Sequence, residues 1–121
     1  MMTRIFVASS ADRYVVRTAG PQRSVLESAL LFMRDRRELD HALKTRVGCS
    51  RAKLSELYEQ IKSGEESSLS IDDLHTIHSV LLSVCSLFAS EEDFYIKIGF
   101  FRENVLALAN ALAKAVGETE P

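Results

Sequence analysis

The chain of 121 residues holds only two cysteines, Cys49 and Cys85, and no CxxC pair. That excludes the disulfide-stapled scaffolds of small secreted domains, so a reducing compartment is expected. Its five glycines form neither a GxGxxG nor a GKS/T pattern, and no phosphate-cradling loop is written in the sequence. No apolar run approaches the roughly 18 residues that a spanning helix needs, and the start, MMTRIFVASSA, is too poor in apolar residues for a signal-peptide core. A cytoplasmic protein without membrane contact is therefore expected. No internal repeat with a period of about 20 to 50 residues is visible, nor any low-complexity tract.

What is present suits one cooperative domain over 1–121. Hydrophobic residues make up 46% and charged residues 26%, near the globular norm, which excludes a disordered chain or a fibre. Charge is unevenly placed. Through Lys62 there are 12 basic and 7 acidic residues; from Ser63 onward there are 3 basic and 10 acidic. Such a split fits two halves that attract each other, a basic surface for an acidic partner, or an acidic surface for a basic one.

Ile5 to Ala8 and Tyr14 to Thr18 are short β-favouring runs around the turn formers Ser9, Ser10 and Asp12, so a hairpin over about 4–19 is expected, covered by a helix. Gly20-Pro21 then punctuates, and Pro21 suits the first turn of the helix that Gln22 begins. Leu26, Ala29, Leu30 and Met33 make an apolar stripe that RDRRE, Arg34 to Glu38, interrupts and Leu39, Ala42, Leu43 and Val47 resume. The expectation is a helix over about 22–47, continuous or bent at the charged run. Ser50 is a good N-cap for a helix over 50–63, whose apolar face is Leu54, Leu57, Tyr58 and Ile61. GEESSLS, Gly64 to Ser70, has the composition of a loop. Ser70 and Asp73 approximate a capping box for a helix over 71–89 with Leu74, Ile77, His78, Leu81, Cys85 and Phe88 on one side. Ser90 and the acidic Glu91, Glu92 and Asp93 open a last helix over 91–116, with Phe94, Ile98, Phe101, Val105, Leu108, Leu112 and Val116 as its core stripe. The fold class that follows is α+β, mostly α: a small N-terminal β-hairpin on a four- to five-helix bundle, the last two helices an antiparallel pair.

The stretch TRVGCSRAKLSEL, Thr45 to Leu57, resembles the skeleton of a helix-turn-helix motif, with Leu43, Val47, Leu54 and Leu57 as its apolar positions and Gly48 as its turn glycine. Lys44 stands where that motif has a small residue. The resemblance implies a recognition helix opened by Ser50, Arg51 and Lys53, with Arg34, Arg36, Arg37 and Arg46 against phosphates. A pI near 5.9 tells against it, because phosphate neutralisation carries most non-specific affinity. His41, His75, His78, Cys49 and Cys85 are of metal-ligating types, but the cysteines lie 36 positions apart and the histidine spacing arises readily by chance, so neither a metal nor a cofactor is expected.

No nucleophile stands beside a base, and the acidic pairs are explained by helix capping, so the chain reads as a non-enzyme. The function expected by elimination is binding to another protein, in the manner of an immunity or inhibitor protein covering a basic surface; a helix-turn-helix DNA-binding regulator is the alternative. FYIKIGFFREN, Phe94 to Asn104, has more apolar surface than one helix face can use, with Ile96 and Phe100 on a second face. That face is either covered within the domain or a patch for a partner or a second copy. The protein-binding residues expected are Glu91, Glu92, Asp93, Ile96, Phe100 and Glu103.

Overall fold

The computed structural model describes residues 5–119; the expected start of the hairpin at residue 4 lies outside them. The elements run β1 (Phe6–Ser10), β2 (Arg13–Arg17), α1 (Gly20–Arg34), α2 (Asp40–Val47), α3 (Arg51–Lys62), β3 (Glu66–Leu69), α4 (Ile71–Ser86), α5 (Glu91–Ile98) and α6 (Arg102–Glu118). The protein is mostly helical, with a hairpin packed on the helices, as the sequence suggested. Ile5 and Val16 are buried, and Val7 and Tyr14 pack beside them.

Among the described residues the expected four to five helices are six. The segment 22–47 breaks over Asp35–Leu39, where Arg51 donates to the carbonyls of Arg34, Arg36 and Glu38 in place of helical amides. The segment 91–116 breaks at Gly99, whose φ of +85° is left-handed and whose N–H donates to the Tyr95 carbonyl, ending α5. That break turns Phe101 out of the expected core stripe: it is the N-cap residue of α6 and 49% exposed. The polar GEESSLS segment is a strand at its centre. Ser67 and Leu69 point inward from β3, which pairs antiparallel with β2 and makes a sheet of order β1-β2-β3.

The structure reveals a repeat that the sequence hides. Elements, caps and core positions of the first half recur 51 positions later: α1 and α4 begin at Gly20 and Ile71, and α2 and α5 at Asp40 and Glu91. The capping pair Ala19 and Gln22 recurs as Ser70 and Asp73. Gly48 recurs as Gly99, each with φ +85°. Buried Leu43, Val47, Leu54, Leu57 and Ile61 recur as Phe94, Ile98, Val105, Leu108 and Leu112. In the sheet Val16 lies opposite Ser67, its own counterpart, which is where a local two-fold axis must cross an antiparallel ladder. Packing obeys the same axis: α1 meets α4, while α2 packs on α4 as α5 packs on α1. Only six of the paired positions are identical, among them Leu30 and Leu81, Gly48 and Gly99, and Arg51 and Arg102, so no repeat is visible in the letters.

The axis is broken at one edge. Among the described residues β1 has no counterpart beside β3, whose outer edge is blunted instead: Gln60 Nε2 and Arg13 Nη2 both donate to the Ser68 carbonyl, at 2.7 and 2.9 Å.

Candidate protein-binding face

The residues that would open a DNA-reading helix are all engaged within the fold. Ser50 Oγ accepts from the Lys53 amide at 3.2 Å and so caps α3. Lys53 Nζ lies 3.0 Å from the buried Asp73 carboxylate. Arg51 turns back onto the α1–α2 connection, donating to the carbonyls of Arg34, Arg36 and Glu38. Arg46 and Arg36 both pair with Glu38, and they hold its carboxyl below the usual range, Arg46 chiefly. Arg34 lies over the Tyr58 ring. α2 and α3 do form a helix-turn-helix corner at Gly48, yet its named side chains serve structure, and the second half builds the same corner at Gly99. Arg102 is the counterpart of Arg51 there, donating to the Phe88 carbonyl at 2.9 Å.

Among the described residues no three His, Cys, Asp or Glu side chains come together to hold a metal ion. Cys49 and Cys85 are free thiols, and burial raises the pKa of both, that of Cys85 to about 11. Thiols so placed are poor nucleophiles at neutral pH.

The α5–α6 corner is different. Ile96 is 68% exposed, and Tyr95 and Phe101 are each about half exposed, their rings stacked with centroids 4.7 Å apart. Phe100 beside them is half-buried against the core, so the face carrying Ile96 is not covered by a second layer of the domain. Leu106 continues the patch along α6. Here an open depression of about 460 Å³ is lined by Glu91, Phe101, Arg102, Glu103 and Leu106.

No family model, curated protein or solved structure matches this chain. Its function must therefore be argued from the corner itself.

Carboxylates ring the patch. Glu92, Asp93 and Glu103 are exposed and, among the described residues, none forms an ion pair. Glu91 is partly committed: its Oε1 accepts from the Arg102 amide at 2.7 Å, and Oε2 lies 3.9 Å from the Arg102 guanidinium. Asp93 and its neighbours also sit at the positive end of α5, where Ser90 Oγ accepts from the Asp93 amide. Of the two cations at the corner, Arg102 turns inward over the Phe94 ring and Lys97 is exposed, so the unpaired carboxylates Glu92, Asp93 and Glu103 outnumber one exposed lysine. Of the six residues expected from the sequence, Glu91 and Glu103 line the depression, Glu92, Asp93 and Ile96 are exposed on α5, and Phe100 is half-buried; Tyr95, Phe101 and Leu106 were not among those expected for binding. Phe101 falls in the core stripe only if the helix runs unbroken over 91–116; Gly99, which suggested either a close backbone approach or a break, is a break.

Elsewhere the opposite charges of the two halves do meet. Lys53–Asp73 and Arg17–Glu66 both cross between them, so part of the split is satisfied internally. No helix of the described residues is long and apolar enough to cross a membrane.

Proposed function

We propose that this chain is a small non-enzymatic protein-interaction domain, of the immunity or inhibitor type, whose acidic second half covers a basic surface on another protein. It acts in the cytoplasm, where its two free thiols stay reduced, and it requires no cofactor. The observation that supports this reading is the exposed apolar cluster within an acidic rim at the α5–α6 corner. Contiguous exposed apolar surface rimmed by charge marks interaction sites, because it costs solubility and contributes nothing to the fold that bears it. The DNA-binding alternative has less support, since Ser50, Arg51, Lys53 and Arg46 already serve caps and ion pairs.

The test is a capture experiment from host lysate with and without nuclease, followed by mass spectrometry and repeated with Glu92, Asp93 and Glu103 reversed in charge. A stoichiometric protein partner that survives nuclease and is lost on charge reversal, with affinity falling as salt rises, is the expected result. Recovery of nucleic acid that is lost instead when Arg46 and Lys53 are replaced would refute it.

A further inference from the structure

The recurrence of elements 51 positions apart allows one half of the domain to be compared with the other. The first half folds through the same helices, the same left-handed glycine and the same buried positions, so it shows which side chains that corner needs. At the places of Tyr95, Ile96, Phe100, Phe101 and Leu106 it carries Lys44, Thr45, Cys49, Ser50 and Ser55. At those of Glu92, Asp93 and Glu103 it carries His41, Ala42 and Ala52. The helix-turn-helix corner thus needs neither the apolar patch nor its acidic rim, and the second half carries both on its surface.

Resting on the protein-binding reading above, we infer that the α5–α6 corner is the docking face, and that its occupant is a segment of another protein whose apolar side chains are flanked by lysine or arginine. Charge complementarity selects this occupant. The depression is lined by Phe101 and Leu106 and by Glu91, Arg102 and Glu103; Arg102 engages Glu91, which leaves Glu103 as its unpaired carboxylate, so a cationic head pairs with Glu103 while its aliphatic stem lies on the apolar lining. A second copy docked by a two-fold contact would bring this face, with three unpaired carboxylates and one exposed lysine, against its own copy, a net like-charge arrangement that opposes association. Ile96 and the stacked Tyr95–Phe101 pair form the exposed anchors, and aromatic groups of this kind carry much of the affinity of an interface.

The recurrence also furnishes variants compatible with the fold. Ile96→Thr, Phe101→Ser and Leu106→Ser together install what the first half already carries, and Glu92→His, Asp93→Ala and Glu103→Ala do the same for the rim. The probe is an amphipathic helical peptide of leucine and lysine, with its leucine–glutamate counterpart as control, measured by calorimetry beside sedimentation of the protein alone. Expected are salt-sensitive binding of the lysine peptide, no binding of the glutamate peptide, and loss of about tenfold or more in affinity in each variant set at an unchanged unfolding midpoint. If the apolar set does not fold, the rim set decides alone. Equal binding by wild type and variants, equal binding of both peptides, or a wild-type dimer dissolved by the apolar set would overturn the inference. A lysate partner captured equally by wild type and both variant sets would overturn this face while leaving the protein-binding reading standing.

Discussion

Replacing Arg51 by alanine isolates what this side chain does for the fold. Its guanidinium, about one-third exposed, donates to the carbonyls of Arg34, Arg36 and Glu38 in the connection between α1 and α2. No other hydrogen bond to these carbonyls is present among the described residues. Charge-assisted bonds of this kind are worth about 1 kcal/mol each once water can reach the abandoned carbonyls, so the loss is about 3 kcal/mol. For a domain of this size that lowers the thermal midpoint by about 12 °C. The counterpart change, Arg102→Ala, removes one carbonyl partner and a 3.9 Å ion pair, while the Arg102 amide keeps its bond to Glu91. Its loss is about 1 kcal/mol. Urea and thermal unfolding followed by circular dichroism read both, with Arg17→Ala, an exposed pair with Glu66, as a control within about 0.5 kcal/mol of wild type. If Arg51→Ala unfolds with the wild-type midpoint, or no earlier than Arg102→Ala, the assignment of Arg51 to the connection is wrong and its side chain is free for a partner.

Other consequences are read as simply. Gly48→Ala meets only the His75 ring at ordinary contact distance and Gly99→Ala meets open space, but each is forced to a φ of +85°, so each costs about 1 kcal/mol in urea unfolding and asparagine recovers part of it; a neutral alanine at either position would contradict the left-handed caps. Iodoacetamide at mildly alkaline pH labels half-buried Cys49 ahead of buried Cys85, whose thiol is pushed up to about 11, and equal rates would contradict that burial. At Asp73, burial pushes the carboxyl up, but the Ser70 amide and Lys53 outweigh it, leaving a pKa below the ordinary 3.8. Its stabilising contribution is therefore present above that value and lost as pH falls through the lower folded-state pKa. Lys53→Met leaves burial less opposed, so carboxyl NMR finds the Asp73 pKa raised and the acid loss of stability begins at higher pH; an unmoved Asp73 titration would dismiss the ion pair.

Much of the fold was legible because its causes are local. Ser50, Ser70 and Ser90 each cap the helix that the sequence assigned to them, through the amides of Lys53, Asp73 and Asp93. The stripes of Leu26 to Met33 and Leu54 to Ile61 are buried as their spacing implied. The candidate face was half legible: excess apolar content around Ile96 and Phe100 was plain, as was the acidic run before it. The exposure of Phe101 was not, because it depends on the conformation at Gly99, and a mid-helix glycine and a terminating glycine are the same letter. The strand Glu66–Leu69 was hidden for a related reason. Two serines, a glutamate and a leucine have little β propensity, and it is the exposed edge of β2 that draws them into a ladder.

The sequence by itself determined where α1, α3, α4 and α5 begin to within about two residues, that a hairpin precedes them, and that charge changes sign near residue 63. Those properties follow from side-chain periodicity and capping chemistry within a few residues. Only the tertiary structure decided where the long segments break, that the two halves share one design about a local axis, and which apolar face the domain leaves uncovered. Burial is a relation between distant elements. Leu43 and Phe94, or Ile61 and Leu112, do the same work in their halves without being the same residue, and a repeat of buried positions needs no repeat of letters.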